Sequence, residues 1–173
     1  MNYSLNIPRF SQKFEERDWP SQKLVEGNGA EYWGDRSCGL ACLRMVLSYY
    51  KLPIPSQYEL LLNGLSKNAY CSKGWIHSGL AKMGLEFGLK GSAISIKNGD
   101  ELERFLIETG PLIASVSHEL PQDGRKGGHL IVVSGRQKGN DTNIIFRDPS
   151  RWGITNSIVS EDRFFSSFTQ RGI

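Results

Sequence analysis

Two apolar runs in the last third of the chain set the first constraint on the fold. His129 to Ser134 reads HLIVVS, Asn143 to Arg147 reads NIIFR, and the segment between them, GRQKGNDT, is rich in turn formers. Such runs around such a segment predict an antiparallel pair of strands. Leu112 to Val116, just after the breaker Gly110-Pro111, reads as a third strand, and a polar loop from Glu119 to Gly128 leads into HLIVVS. A last strand near Asn156 to Val159 and a helix from Glu161 to Phe168, capped by Ser160, close the chain.

The first half has a different period. Leu40, Ala41, Met45, Val46 and Tyr49 recur at helical spacing, which predicts a helix from Cys38 to Tyr50 with Ser37 or Asp35 as N-cap and Pro53 as its stop. Residues 56–65 (SQYELLLNGL) form a second helix, and residues 74–83 a third, with Ser72 as cap and Gly84 at its end. Leu85 to Ile96 alternates and reads as a strand or hairpin, and Asp100 to Glu108 as a further helix. Residues 1–37 are irregular, with Leu5 to Ser11 as a short strand or extended lead-in. Helices first and strands later predict an α+β domain, a helical half packed on an antiparallel sheet. With no repeat or linker, the 173 residues are expected to form one domain, residues 1–173.

The net charge of +3 is mild and the Lys and Arg residues are scattered, without a stripe of interleaved aromatics, so nucleic acid is not an expected partner. No apolar stretch approaches the roughly 20 residues that span a bilayer, and MNYSLNIPRF lacks the pattern of a secretory signal. The cysteines are Cys38, Cys42 and Cys71. An odd, low count argues against a disulfide framework. Cys38 and Cys42, four apart on one helix, have Cβ atoms about 5–6 Å apart, too far for a disulfide. Unpaired thiols without an export signal point to the cytoplasm. The chain is expected to be a monomer.

A thiol nucleophile needs a lowered pKa, a base for its proton and donors for the developing oxyanion. Cys38, in RSCGLAC, stands at the predicted helix N-terminus, where unpaired N–H groups and the helix dipole favour a thiolate. Gly39 leaves room beside the sulfur for a substrate backbone. The competing reading is an inert helical cysteine, which fits Cys42 well. His129 begins an apolar strand directly after Gly127-Gly128 and is the candidate base; the bland alternative is an ordinary strand-end histidine. Asp148, in FRDPS, ends the next strand. If the two strands pair, it neighbours His129 and can fix its tautomer. As a residue before Pro149 it also suits turn initiation, and both roles can hold at once. His77 is expected to be structural, His118 ranks below His129 as a base, and Trp33, Trp75 and Trp152 are candidates to wall a cleft.

The pieces RSCGLACLRMVLSYY, GGHLIVVSG and IIFRDPS resemble papain-like cysteine peptidases of the bacteriocin-leader-processing, double-glycine type, and in particular their stand-alone relatives. The resemblance follows the order of elements over most of the chain. It implies a papain-like fold, the catalytic set Cys38, His129 and Asp148, and a glutamine upstream of the cysteine for the oxyanion. IPRFSQ, ending in Gln12, resembles the family's lead-in, so Gln12 is the expected side-chain donor beside the backbone N–H of Cys38. Exporter-linked members carry their glutamine six residues before the cysteine, where this chain has Tyr32. The stretch from Gln12 to Cys38 is long for the family, and Gln22 is the second candidate.

The expected function is therefore hydrolysis of a peptide bond in a peptide or protein substrate through a Cys38 acyl-enzyme, with no cofactor. An acyltransferase or transglutaminase-like enzyme would use the same triad with an amine as acceptor. A peptide-binding module would keep the fold without the reaction. Cys38-x3-Cys42 with Cys71-x5-His77 matches no recognised zinc spacing. The segment from Lys13 to Ser37 is polar and carries Gly27, Gly29 and Gly34, hinge positions for a lid.

Overall fold

The computed structural model describes residues 3–117, 120 and 128–173. His118 and most of the expected loop from Glu119 to Gly128 lie outside the described residues. Strand β1 (Tyr3–Ser4) leads into an extended run, then short helix α1 (Ala30–Gly34), α2 (Cys38–Tyr49), α3 (Gln57–Ser66), the small hairpin β2 (Tyr70–Cys71) and β3 (Gly74–Trp75), and α4 (His77–Glu86). Strand β4 (Ile94–Ser95), α5 (Gly99–Glu108), β5 (Leu112–Val116), β6 (His129–Gln137), β7 (Asn143–Arg147), β8 (Ile158–Ser160), α6 (Glu161–Ser167) and β9 (Phe168–Gly172) complete the order.

Among the described residues seven strands form one antiparallel sheet in the order β4-β9-β5-β6-β7-β8, with β1 also on β6. The expected α+β architecture is the one observed. Strand β6 is its centre. HLIVVSGR is buried along its whole length because α2 packs against it from one half of the molecule and α5 from another element of the core, which is why the run is apolar at nearly every position. Strand β7 has one buried face, Ile144 and Phe146, and its sequence alternates accordingly. Helix α2 is the matching central element, with Leu40, Ala41, Cys42, Met45 and Leu47 at 0 % exposure. The buried hydrophobic residues form one contiguous core. Arg136 ties its edge together: the guanidinium pairs with Glu161 on α6 and with Asp100 and Glu103 on α5.

Local signals set several boundaries as expected. Ser56 caps α3 in a reciprocal box with Glu59, at 3.1 and 2.8 Å. Ser160 caps α6. Three readings change. Residues 74–83 are not a helix throughout: Gly74, at φ +107°, belongs to the β2–β3 hairpin and Ser72 to its turn, so α4 begins only at His77. Residues 85–96 are not a hairpin: α4 continues through Glu86, and only Ile94–Ser95 is strand. The strand expected near Asn156 to Val159 sits later, at Ile158–Ser160, and is not the last. Strand β9 was not foreseen, because FTQRG has too few apolar residues to declare itself; it is strand because β5 and β4 supply partners on either side. Among the described residues no helix is long and apolar enough to cross a membrane.

Two substitutions separate core from cap. Leu40→Ala is expected to cost about 2–5 kcal/mol by leaving a cavity under the sheet, and Ser56→Ala about 1 kcal/mol by removing the cap. Urea denaturation measures both, with an unchanged slope if only the native state is affected.

Candidate active site

Cys38 is the first residue of α2, half-buried and not in a disulfide. Ser37 occupies the N-cap position, but its hydroxyl donates to the Trp33 carbonyl at 2.7 Å and caps no helical N–H. The first turn therefore keeps its orphan donors and its positive dipole end beside the sulfur. Cys42, one turn on, is fully buried and donates to the Leu130 carbonyl at 3.3 Å. This contact pins α2 to β6 one residue from His129. Burial pushes the Cys42 thiol well above its ordinary pKa, with the neighbouring Cys38 and Asp148 adding to the effect, so it stays protonated.

Asp148 follows β7. Val132 faces Arg147, so continuing the register by one residue sets Asp148 beside Ile131, on the same strand face as His129. The side chains meet: His129 Nε2 lies 3.0 Å from Asp148 Oδ1, at 2 % and 0 % residue exposure. The Ser150 amide donates to the same oxygen at 2.6 Å, so Asp148 is a turn former and a histidine partner at once. Burial penalises its carboxylate, but His129 and Ser150 outweigh that and hold the pKa below the ordinary value. Burial likewise opposes charge on His129, yet hydrogen bonds with Asp148 and with the Cys38 side chain raise its pKa to about 9. Nε2 is committed to Asp148, which leaves Nδ1 for the sulfur. The structure thus brings Cys38, His129 and Asp148 together.

The lead-in delivers Gln12. Leu5 N–H donates to the Ser134 carbonyl at 2.7 Å, and Arg147 Nε donates to the Ile7 carbonyl at 2.9 Å. Arg9 then donates to the carbonyls of Asp148, Pro149 and Ser150, the first at 2.8 Å. Gln12 N–H donates to the Pro149 carbonyl at 2.9 Å, and buried Gln57 holds the Gln12 carbonyl from α3. The Gln12 side chain is 5 % exposed and lines the same cleft as Cys38 and His129. Its Nε2 donates to the Gly34 carbonyl at 3.1 Å, which uses one of two N–H groups. Gln22 is exposed at φ +57° and does not line the cleft; Tyr32 is 39 % exposed and does not line it either. Arg9 and Gln57 carried no recognisable signal in the sequence, because each acts through backbone carbonyls that only the fold supplies.

The cleft, about 1010 Å³, runs between the helical half and the sheet. Trp75 walls it and donates from Nε1 to the Arg36 carbonyl at 2.7 Å. Trp33 is instead buried, donating to the Val25 carbonyl, and Trp152 stacks on Phe146. Gly39 does not open the site to substrate as expected: it is buried, and a Cβ there would lie 2.9 Å from Trp75 and 3.0 Å from Leu80. Gly128 and Gly74, which line the cleft, are open, with nothing among the described residues within 4 Å of a Cβ. His77 lines the cleft, and burial together with Arg171 lowers its pKa. The segment from Lys13 to Ser37 is packed down through Trp19, which meets Phe14 and Tyr58 edge-on. Among the described residues no group of three or more His, Cys, Asp or Glu is arranged to hold a metal ion.

A cysteine at a helix start with its histidine on a facing sheet defines a papain-like architecture. Residues 33–173 match the sequence model of the Peptidase C39 family, and the chain belongs to that family. Among solved structures it is similar to the peptidase domain of Streptococcus ComA, described as a bifunctional ABC transporter involved in quorum sensing, at 27 % identity, covering 80 % of this chain and 89 % of that one with a TM-score of 0.57. A putative C39-like peptidase from Bacillus anthracis shares the fold at 15 % identity and a TM-score of 0.62, covering 100 % of this chain and 98 % of that one. Among curated proteins no match is found.

The raised His129 pKa has a consequence for stability. A histidine with a folded pKa near 9 and an unfolded value near 6.5 contributes stability that is fully present below about pH 6.5 and lost as pH rises through about 9. Asp148→Asn should therefore destabilise the fold at pH 6 by more than at pH 10. Thermal melts of both forms across that range measure the difference.

Proposed function

We propose that the chain is a cysteine peptidase forming one domain over residues 1–173, with Cys38 as nucleophile, His129 as general acid and base, and Asp148 orienting it. The observation that carries this reading is the buried His129, held through Nε2 by Asp148 and hydrogen-bonded to Cys38, with its pKa raised to about 9. At neutral pH the imidazole holds a proton, and the matching form of Cys38 is a thiolate at the start of α2. The thiolate attacks the carbonyl carbon of a peptide bond and a C–S bond forms. The oxyanion receives hydrogen bonds from the Cys38 N–H and the second N–H of Gln12. His129 gives its proton to the leaving nitrogen as the C–N bond breaks. It then takes a proton from water, whose oxygen attacks the thioester and releases the thiolate.

The likeness to a peptidase domain supports a peptide substrate, and small residues such as Gly-Gly at the cleaved bond are the first choice to try. The cytoplasm is the proposed location, given three cysteines that form no disulfide. Adding an amine to the reaction reads out acyl transfer, the other fate of the same acyl-enzyme.

Iodoacetamide labelling, mapped by peptide and followed with pH, tests the pair. Cys38 is expected to react fast well below pH 8, and His129→Ala should abolish that. Equal slow rates at Cys38, Cys42 and Cys71 would sink the assignment. Gln12→Ala is expected to lower kcat by about 10²–10³-fold with little change in KM, and kcat/KM should fall as pH rises through about 9, where His129 loses its proton.

A further inference from the structure

The charges that line the cleft are unbalanced. Among the described lining residues Arg36, Lys73 and Arg171 are basic, and Asp35 is the single acid. Asp35 is already matched by Lys13 at 2.5 Å. Among the described residues none of the three basic side chains forms an ion pair. His77, kept neutral at neutral pH by burial and by Arg171, does not change the balance. Walls of low dielectric on both sides strengthen the field of such a group of cations inside a cleft.

The cations are held where a bound peptide would pass. Arg36 stands two residues before Cys38. Its guanidinium stacks over the Tyr32 ring at 3.7 Å and donates to the Tyr32 carbonyl at 3.1 Å, while its own carbonyl is fixed by Trp75. Lys73 sits in the turn of the β2–β3 hairpin that carries Trp75. Arg171 is on β9, across the cleft, and the sheet register sets its distance. His129 faces Val116, Val116 faces Phe168, and beyond a bulge Gly172 faces Ala114. Arg171 precedes Gly172 by one residue, so two strand spacings across and one to two residues along place its backbone roughly 10–12 Å from that of His129. An extended peptide covers that span in about three or four residues.

We propose that this cleft selects peptides with an acidic side chain about three or four residues from the cleaved bond, read by Arg171 on the sheet wall and by Lys73 and Arg36 on the opposite wall. The proposal rests on the peptidase reading for the location of the bond, and specificity here comes from charge complementarity rather than from added apolar contact.

The test separates recognition from reaction. Fluorescein-labelled synthetic octapeptides with a central Gly-Gly carry Glu, Gln or Lys at the third and fourth residues on either side. Their binding to Cys38→Ala protein is measured by anisotropy, and their cleavage is followed with the unaltered protein. The Glu peptide is expected to bind about tenfold more tightly than the Lys peptide at about 50 mM NaCl, with Gln between, and the gap should shrink at about 0.5 M. Arg171→Glu, and Lys73→Glu in an exposed turn where folding is not at risk, should each narrow or reverse the order, with melting curves as the folding control. Equal binding of the three peptides, no binding of the Glu peptide, or an order unmoved by both reversals would overturn the proposal. Ordered binding without cleavage by the unaltered protein would sink the peptidase reading and leave the acidic preference standing.

Discussion

A carboxylate with no solvent exposure must be matched, and in this protein that requirement falls on Asp148. An isolated charge in the interior would cost several kcal/mol, yet this one stays ionised because its Oδ1 receives both the His129 ring and the Ser150 amide. Each partner depends on a different part of the fold. His129 is in reach because β6 and β7 pair in a register that puts residue 148 on the face of residue 129. Ser150 is in reach because Pro149 turns the chain. The carbonyls of that turn are in their turn held by Arg9 and by the Gln12 amide. One buried charge thereby links the N-terminal lead-in to the end of the central hairpin.

The same linkage explains how residues from three separate stretches reach one site. Gln12 arrives with the lead-in, Cys38 with the start of α2, and His129 and Asp148 with the hairpin. Helix α2 is fixed to the hairpin by the Cys42 thiol on the Leu130 carbonyl, so the second cysteine of RSCGLAC acts through geometry and not through reactivity. The helix start is left without a side-chain cap because Ser37 turns its hydroxyl back to Trp33. In an ordinary helix that is a small loss of stability; here it leaves N–H groups facing the cleft, where an anion can use them. A local rule is broken beside the cysteine proposed as nucleophile.

The elements with strong periodicity were legible. Helix α2, strand β5, the β6–β7 pair and the Ser56 and Ser160 caps follow from apolar spacing and capping residues alone. The errors cluster in residues 70–96 and at the C-terminus. There the segments are short, Gly-rich or polar, and their conformation is set by a partner strand far away in sequence, as with Ile94 on Gly172. Gly39 was misread for a related reason: a glycine shows that space is needed, but only packing shows that Trp75 and Leu80 are what fill it.

The sequence by itself determined the α+β class, the central strands and Cys38, His129 and Asp148 as candidates, because each of the three stands at an element boundary marked by local chemistry; Gln12 joined them only through the resemblance of IPRFSQ to the family's lead-in. Only the tertiary structure decided that these four converge, that Gln12 and not Gln22 lines the cleft, and that Arg9 and Gln57 hold the parts together. It also decided the sign of the cleft, since Arg36, Lys73 and Arg171 are scattered along the chain and meet only across it. Local signals act over a turn or a strand. Burial of one charge, and the register that makes it affordable, are properties of the whole fold.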